Sequence, residues 1–163
     1  MCENTKHRNM PCPLFAGILR CRRTPSRSHV PRRSGAGAAK ATYRAWRSGR
    51  FELVTSRLQL DELRRISRYP KLKAVLPNHR IGTMINNLDR AFVLDHLPAL
   101  PDGVAASDPN DDCLLAMVLA SDADFLVTGD RSAGLLQRGS FQRARILNPE
   151  AFCAELGLSN QKP

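Results

Sequence analysis

The segment covering residues 108–130 constrains the fold of this chain more than any other. It starts with the acidic run Asp108-Pro109-Asn110-Asp111-Asp112, continues as the apolar stretch 113–120, and ends in Ala123-Asp124-Phe125-Leu126-Val127-Thr128-Gly129-Asp130. Acids at the start of an apolar stretch favour a helix N-terminus, because negative charge is stabilised there by the helix dipole. Residues 125–127 predict a short buried strand. The segment therefore predicts a helix and then a strand whose carboxyl end carries Thr128 and Asp130, the place where ligands collect in open α/β sheets.

The carboxylates of this segment predict a metal site. Asp112 and Asp130 would repel each other at one sheet edge unless a cation lay between them, and hard divalent cations prefer oxygen ligands. Metal sites of this kind usually act on phosphates. Plainer roles are open for the same residues: Asp111 and Asp112 as ordinary acids of a helix start, Asp130 as a turn residue, and Thr128 as a strand residue.

The charge of the chain is concentrated at one end. The formal net charge is +10 over 163 residues, and residues 1–50 hold 12 lysines and arginines against one acid, Glu3. A basic arm on a near-neutral domain indicates contact with nucleic acid or another polyanion, or else a solubilising tail. We expect a basic Arg/Pro-rich arm at 1–38 that is disordered or non-native, a domain at 39–157 and a tail at 158–163.

The number and spacing of the cysteines indicate the cellular compartment of the protein. The five cysteines form no C-x-x-C pair and fit no zinc-finger spacing, and their odd number argues against a disulfide framework. This pattern favours a reducing compartment, so we expect a cytoplasmic protein. No apolar run approaches the roughly 20 residues of a membrane span, so no membrane association is expected.

The order of short strands and helices predicts an α/β domain with a parallel sheet. Ser56 and Gln59 form a capping pair at the start of one helix, and Asn148 with Pro149 starts the last helix. Leu14 to Leu19 is the only strand-like stretch before residue 38. The other expected elements are helices at 38–48, 78–88 and 114–119, a short helix at 135–136, and strands at 51–55, 91–94, 125–127 and 145–147.

Several stretches resemble the PIN-domain ribonucleases, in the branch of toxin components of bacterial toxin–antitoxin pairs. They are Ala45 to Ser56, Leu60 to Arg65 followed by Tyr69 to Leu72, Asp108 to Asp112, Ala123 to Asp130, and Ile146 to Phe152. The resemblance implies a single three-layer α/β domain with a central parallel sheet. It also implies hydrolysis of RNA phosphodiesters, an antitoxin protein as partner, and often a homodimer.

The resemblance also implies a site. Position by position, Glu62, Asp112 and Asp130 match the acids that hold Mg²⁺ or Mn²⁺ in the family, and Thr128 matches a hydroxyl residue of the catalytic set. Glu62 has the alternative of a solvated helix residue paired with Arg65 or Arg68. A basic stripe of Arg64, Arg65, Arg68 and Lys71 is expected either to meet RNA phosphates or to be a solvated helix face.

One feature departs from the family pattern. The family's first acid ends its central first strand, whereas residues 1–50 contain no aspartate and only Glu3 as a carboxylate. Three explanations are open: a shifted frame or wrong start, a decaying toxin gene, or replacement of the strand by Leu14–Leu19 without its acid. The sharp change near residue 40 favours the first two.

The missing acid sets the functional expectation. Loss of one of about four ligand carboxylates predicts weak or absent ribonuclease activity. The alternative is a non-catalytic nucleic-acid-binding protein that uses the basic arm on an inert PIN scaffold.

Overall fold

The computed structural model describes residues 17–20, 35–69, 78–130 and 134–158. In chain order, these residues form β1 (Gly17–Arg20), α1 (Gly35–Arg47), β2 (Glu52–Ser56), α2 (Arg57–Ile66), α3 (Asn78–Leu88), β3 (Phe92–Leu94), a 3₁₀ turn (Pro109–Asp111), α4 (Asp112–Ser121), β4 (Phe125–Val127), α5 (Leu135–Arg138), β5 (Ser140–Phe141), β6 (Ala144–Leu147) and α6 (Pro149–Glu155).

The strands form one six-stranded mixed sheet in the order β3-β2-β1-β4-β6-β5. The pairs β2–β3 and β4–β6 are parallel, and β5 is antiparallel to β6. The central strand β1 runs antiparallel to both of its neighbours, β2 and β4. The α/β class is confirmed, and the central strand makes the sheet mixed rather than wholly parallel.

Strand β1 comes from the segment expected to be a disordered or non-native arm. Ile18 is fully buried and lies in register between Val54 and Leu126. This arrangement corresponds to the third explanation above, in which strand-like sequence from the arm replaces the family's first strand. Residues Gly17 to Arg20 include no carboxylate. Because the strand is reversed, its first residue, Gly17, lies beside Val127 at the edge where β4 ends.

The sheet separates two apolar cores, which makes the domain three-layered as expected. On one face, Ile18, Val54, Leu126 and Ile146 pack against the buried side of α4. On the other face, α1 and α6 cover Phe125, and Phe152 makes edge-to-face ring contacts with Phe51 and Phe125 at centroid distances of 5.3 and 5.4 Å. Such ring pairs add to the burial of apolar surface that holds each layer in place.

The expected helix starts are confirmed by their caps. The Ser56 side chain accepts a hydrogen bond from the Gln59 backbone N–H at 3.2 Å, and Asn148 accepts one from Ala151 at 2.7 Å with Pro149 at the first helical position. Helix α1 starts at Gly35, three residues before the expected Ala38. Strand β5 was not predicted, because two residues are too short to show an alternating pattern.

Side-chain hydrogen bonds connect helix α3 to helix α1. Buried Asn87 donates to the Tyr43 hydroxyl at 2.6 Å and accepts a hydrogen bond from Arg47. Tyr43 also makes an edge-to-face contact with Trp46. The two aromatic residues of α1 therefore serve packing, as their spacing indicates. Among the described residues, no helix is long and apolar enough to cross a membrane.

Candidate metal centre

The carboxyl end of β4 places Thr128 and Asp130 at one edge of the sheet. Thr128 is buried, and its backbone N–H donates to the Leu147 carbonyl at 3.0 Å, which extends the β4–β6 pairing by one residue. Its hydroxyl oxygen Oγ1 accepts a hydrogen bond from the Asp130 backbone N–H at 3.1 Å. Thr128 thereby fixes the turn that sets Asp130 directly beyond the strand, as the sequence predicts.

The start of α4 brings a second group of acids to the same edge. The 3₁₀ turn is closed by a hydrogen bond from the Asp111 backbone N–H to the Asp108 carbonyl at 2.9 Å. Helix α4 then begins at Asp112, whose Oδ1 accepts a hydrogen bond from the Ala106 backbone N–H at 2.7 Å. One carboxylate oxygen of Asp112 is therefore engaged in holding the preceding loop.

Asp111 shows that these acids act on one another. Burial, together with the charges of Asp108, Asp130 and Asp112, raises its pKa from 3.8 to about 6. Its Oδ2 is buried and accepts no hydrogen bond from the part of the chain that the structure describes. A partly buried carboxylate with an orphaned oxygen, surrounded by three like charges, is a group that a cation would stabilise.

The sequence interpretation named Asp112 and Asp130 as ligands and did not place Asp108 or Asp111 in the site. The signal was present in the D-P-x-D spacing. Residues three apart eclipse each other in a 3₁₀ turn, so Asp108 and Asp111 lie on one side of it.

Glu62 is paired with an arginine of its own helix. Its Oε2 accepts a hydrogen bond from the Arg65 Nε at 2.7 Å, and its Oε1 pairs with the other side of the same guanidinium. This bond lowers the pKa of Glu62 below its ordinary value. The charges that raise the pKa of Asp111 are those of three aspartates, and Glu62 is not among them. Of the expected ligands, the structure brings Asp112 and Asp130 together and pairs Glu62 with arginine.

The expected basic stripe on α2 is largely neutralised by the chain's own acids. Arg64 pairs with Asp61 at 3.1 Å and with Asp89 at 2.9 Å, and Arg65 pairs with Glu62. Lys71 lies outside the described residues. Arg64 and Arg65 therefore match the solvated-face interpretation better than a phosphate-binding one.

The donor chemistry of the edge fits a hard divalent cation. All the converging side chains offer oxygen, and the orphaned Oδ2 of Asp111 supplies an unused one. Burial and the two adjacent aspartates raise the pKa of the neighbouring Cys113 thiol, which disfavours its thiolate form at neutral pH. Within the described ranges, no group of three or more His, Cys, Asp or Glu side chains is arranged so that it could hold a metal ion. The edge therefore gathers oxygen donors near one another, and a cation would require these side chains to reorient.

The fold and this edge define a three-layer α/β domain with an acidic cluster beyond its strand ends. The family model for the PIN domain matches residues 28–132, well over half of the chain, so the chain belongs to the PIN domain family. The family has a nuclease-type fold in general, and its members typically bind divalent metals. The match includes the acidic cluster and leaves β1 outside. No curated protein and no solved structure matches the chain.

Proposed function

We propose that the chain belongs to a lineage of metal-dependent endoribonucleases and that its own catalysis is weak or absent. The observation that carries the proposal is the cluster of Asp108, Asp111, Asp112 and Asp130 beyond the end of β4. In this cluster, Asp111 keeps a buried carboxylate oxygen that accepts no hydrogen bond from any described residue. In a domain of this family, such a cluster is best explained as a site for Mg²⁺ or Mn²⁺ facing an RNA phosphodiester.

The proposed roles follow from the contacts. Asp130 and Asp111 would hold the cation, together with the Asp112 oxygen that the Ala106 N–H does not occupy. The Thr128 hydroxyl oxygen accepts a hydrogen bond from the Asp130 backbone N–H and thereby orients Asp130. Glu62 would join as a further ligand only after its ion pair with Arg65 opens. When bound, the cation supplies a polarised water and neutralises charge on the scissile phosphate.

The proposed impairment follows from the central strand. Strand β1 starts at the acidic edge with Gly17 and runs away from it, and none of its four residues carries a carboxylate. In the family pattern, the strand at this position ends at the edge with an acid. Among the described residues, the cluster therefore has no acid that would face Asp111 and Asp130 from the sheet centre.

An RNA cleavage assay and a calorimetric titration with Mn²⁺ test the two parts of the proposal. The purified chain is incubated with a fluorescent single-stranded RNA and Mn²⁺, with Asp112→Asn and EDTA as controls. We expect Mn²⁺ binding with cleavage close to the buffer rate. Rapid cleavage that Asp112→Asn abolishes would overturn the proposed impairment, and absence of Mn²⁺ binding would overturn the metal-dependent lineage.

A second candidate function is binding of nucleic acid without cleavage. It is favoured by the absence of a carboxylate on β1 and by the lack of a finished metal site within the described ranges. This function predicts RNA binding that weakens steeply with salt, survives Asp112→Asn and requires the basic residues 1–38. Binding that is unchanged when Arg22, Arg23, Arg27, Arg32 and Arg33, which lie outside β1 in the sequence, are all replaced by glutamine would exclude it.

We also propose that the chain is the cytoplasmic toxin component of a toxin–antitoxin pair, as the family resemblance implies, with homodimerisation as a further property. The partner would be an antitoxin protein that covers the acidic edge. Its test is co-expression with the product of the adjacent reading frame. Stable co-purification that Asp111→Arg disrupts supports this role, and separate elution of the two proteins contradicts it.

A further inference from the structure

The loop before the acidic cluster is held from two sides. On one side, the Arg138 guanidinium Nη2 donates to the Ala105 carbonyl at 2.8 Å. On the other side, the Ala106 N–H donates to Asp112 at 2.7 Å. Two consecutive loop residues shortly before Asp108 are thus held by hydrogen bonds, Ala105 through its carbonyl and Ala106 through its amide.

A third contact fixes the next residue. Gly134 has a positive φ of 74° and lies so close to Ser107 that an added Cβ would overlap the Ser107 hydroxyl and lie 3.0 Å from its Cβ. Only glycine allows both this backbone conformation and this close approach. The segment that contacts the loop, Gly134 to Arg138, includes the short helix α5.

This segment is itself anchored. Leu135 is buried in the core beneath α4, and the Arg138 guanidinium lies over the Phe141 ring at 5.6 Å from its centroid. The Arg138 backbone N–H donates to the Gly134 carbonyl at 3.2 Å, which closes the turn. A segment fixed to the core at one end can hold a loop at the other.

We infer that the segment Gly134–Arg138 is a positioning element for the acidic cluster and that Arg138 is its main positioning residue. By holding Ala105 to Ser107, it keeps Asp108 one 3₁₀ turn from Asp111, where both carboxylates face the same edge. Arg138 acts through the loop and does not itself contact a cation. The part of the inference that concerns cation binding rests on the proposed function, whereas the part that concerns the loop does not.

The first test measures Mn²⁺ affinity by calorimetry for the wild type, Arg138→Gln and Arg143→Gln. Arg143 is a matched control: it is also exposed and hydrogen-bonded, but it pairs with Asp122 and Asp124 before the start of β4. We expect Arg138→Gln to weaken Mn²⁺ binding about tenfold or more, as loss of a group that orients a ligand commonly does, and Arg143→Gln to leave it unchanged.

The second test measures amide hydrogen exchange over residues 105–108 in the same proteins without metal. We expect faster exchange in Arg138→Gln alone, because the loop opens when its carbonyl anchor is removed. Unchanged exchange would overturn the inference, as would faster exchange with unchanged Mn²⁺ affinity. If the wild type binds no Mn²⁺ but Arg138→Gln still speeds exchange, the proposed function fails and the loop-holding role stands.

A rescue experiment tests the close approach. Gly134→Ala introduces both backbone strain and overlap with Ser107, and adding Ser107→Gly removes the overlap alone. We expect faster loop exchange in Gly134→Ala and partial restoration in the double variant. Exchange that is equally fast in both variants would show that the contact with Ser107 does not hold the loop.

Discussion

Replacement of Asp111 by asparagine should stabilise this protein at neutral pH. The folded state raises the pKa of this carboxyl from its ordinary 3.8 to about 6, first through burial and then through the charges of Asp108, Asp130 and Asp112. At pH 7.5, the folded protein must therefore hold a charged group that its surroundings disfavour. An asparagine at this position would keep the shape of the side chain without the charge.

The magnitude follows from the shift. At 1.36 kcal/mol per pKa unit, a rise of this size corresponds to about 3 kcal/mol of lost stability above pH 6. Asp111 is only partly buried, so screening by solvent reduces the expected effect to roughly 1–2 kcal/mol. Between pH 4 and 6, the folded state binds more protons than the unfolded state, so this contribution to stability falls as pH rises through that window. Below pH 4, the carboxyl is protonated in both states and the penalty disappears.

The assay is urea denaturation in EDTA at pH 7.5 and at pH 4, for the wild type, Asp111→Asn and Asp102→Asn. Asp102 is an exposed loop carboxylate outside the cluster and serves as the control. We expect Asp111→Asn to raise the free energy of unfolding at pH 7.5 and to have little effect at pH 4, and Asp102→Asn to have little effect at either pH. A destabilised Asp111→Asn at pH 7.5, or a gain independent of pH, would refute the reasoning.

Three further predictions concern the central strand, a helix cap and the cation. Ile18→Ala should lower the free energy of unfolding by about 2–5 kcal/mol, because Ile18 is fully buried between two strands. Leu58→Ala, on the exposed face of α2, should change it by less than about 0.5 kcal/mol. Both are measured by urea denaturation, and equal effects of the two substitutions would argue against a central β1. Asn148→Ala should cost about 1 kcal/mol by removing the cap of α6, while Asn148→Asp should keep most of it, and a thermal melt that shows equal losses would assign the effect to packing. Addition of Mn²⁺ at pH 7.5 should raise the melting temperature of the wild type more than that of Asp111→Asn, and equal shifts would place the bound cation elsewhere.

Much of the fold could be predicted from the sequence, because the short-range sequence signals agree with the tertiary structure. The caps at Ser56 and Asn148, and the apolar run 125–127 that ends in Thr128, each predict an element by a short-range mechanism that the structure retains. The direction of β1 is different. The side chains of a four-residue strand do not indicate in which direction it pairs. The direction of β1 is therefore decided by the neighbouring strands and not by its local sequence.

The candidate site could be predicted from the sequence in part, for a related reason. Asp112 and Asp130 follow from helix and strand ends, which the sequence marks clearly. The involvement of Asp111 and Asp108 depends on a 3₁₀ turn, and the pairing of Glu62 depends on which nearby arginine reaches it. Both are matters of side-chain geometry, for which spacing along the chain allows several outcomes.

The most direct measurement of the central claim is a calorimetric titration of Mn²⁺ into the wild type and Asp130→Asn at pH 7.5, with Asp102→Asn as the control. The account predicts one saturable site in the wild type and the control, and binding weakened at least about tenfold in Asp130→Asn, because Asp130 lies within the acidic cluster beyond β4. Equal Mn²⁺ affinity in all three proteins, or no binding in the wild type, would contradict the claim that this edge of the sheet is a metal centre.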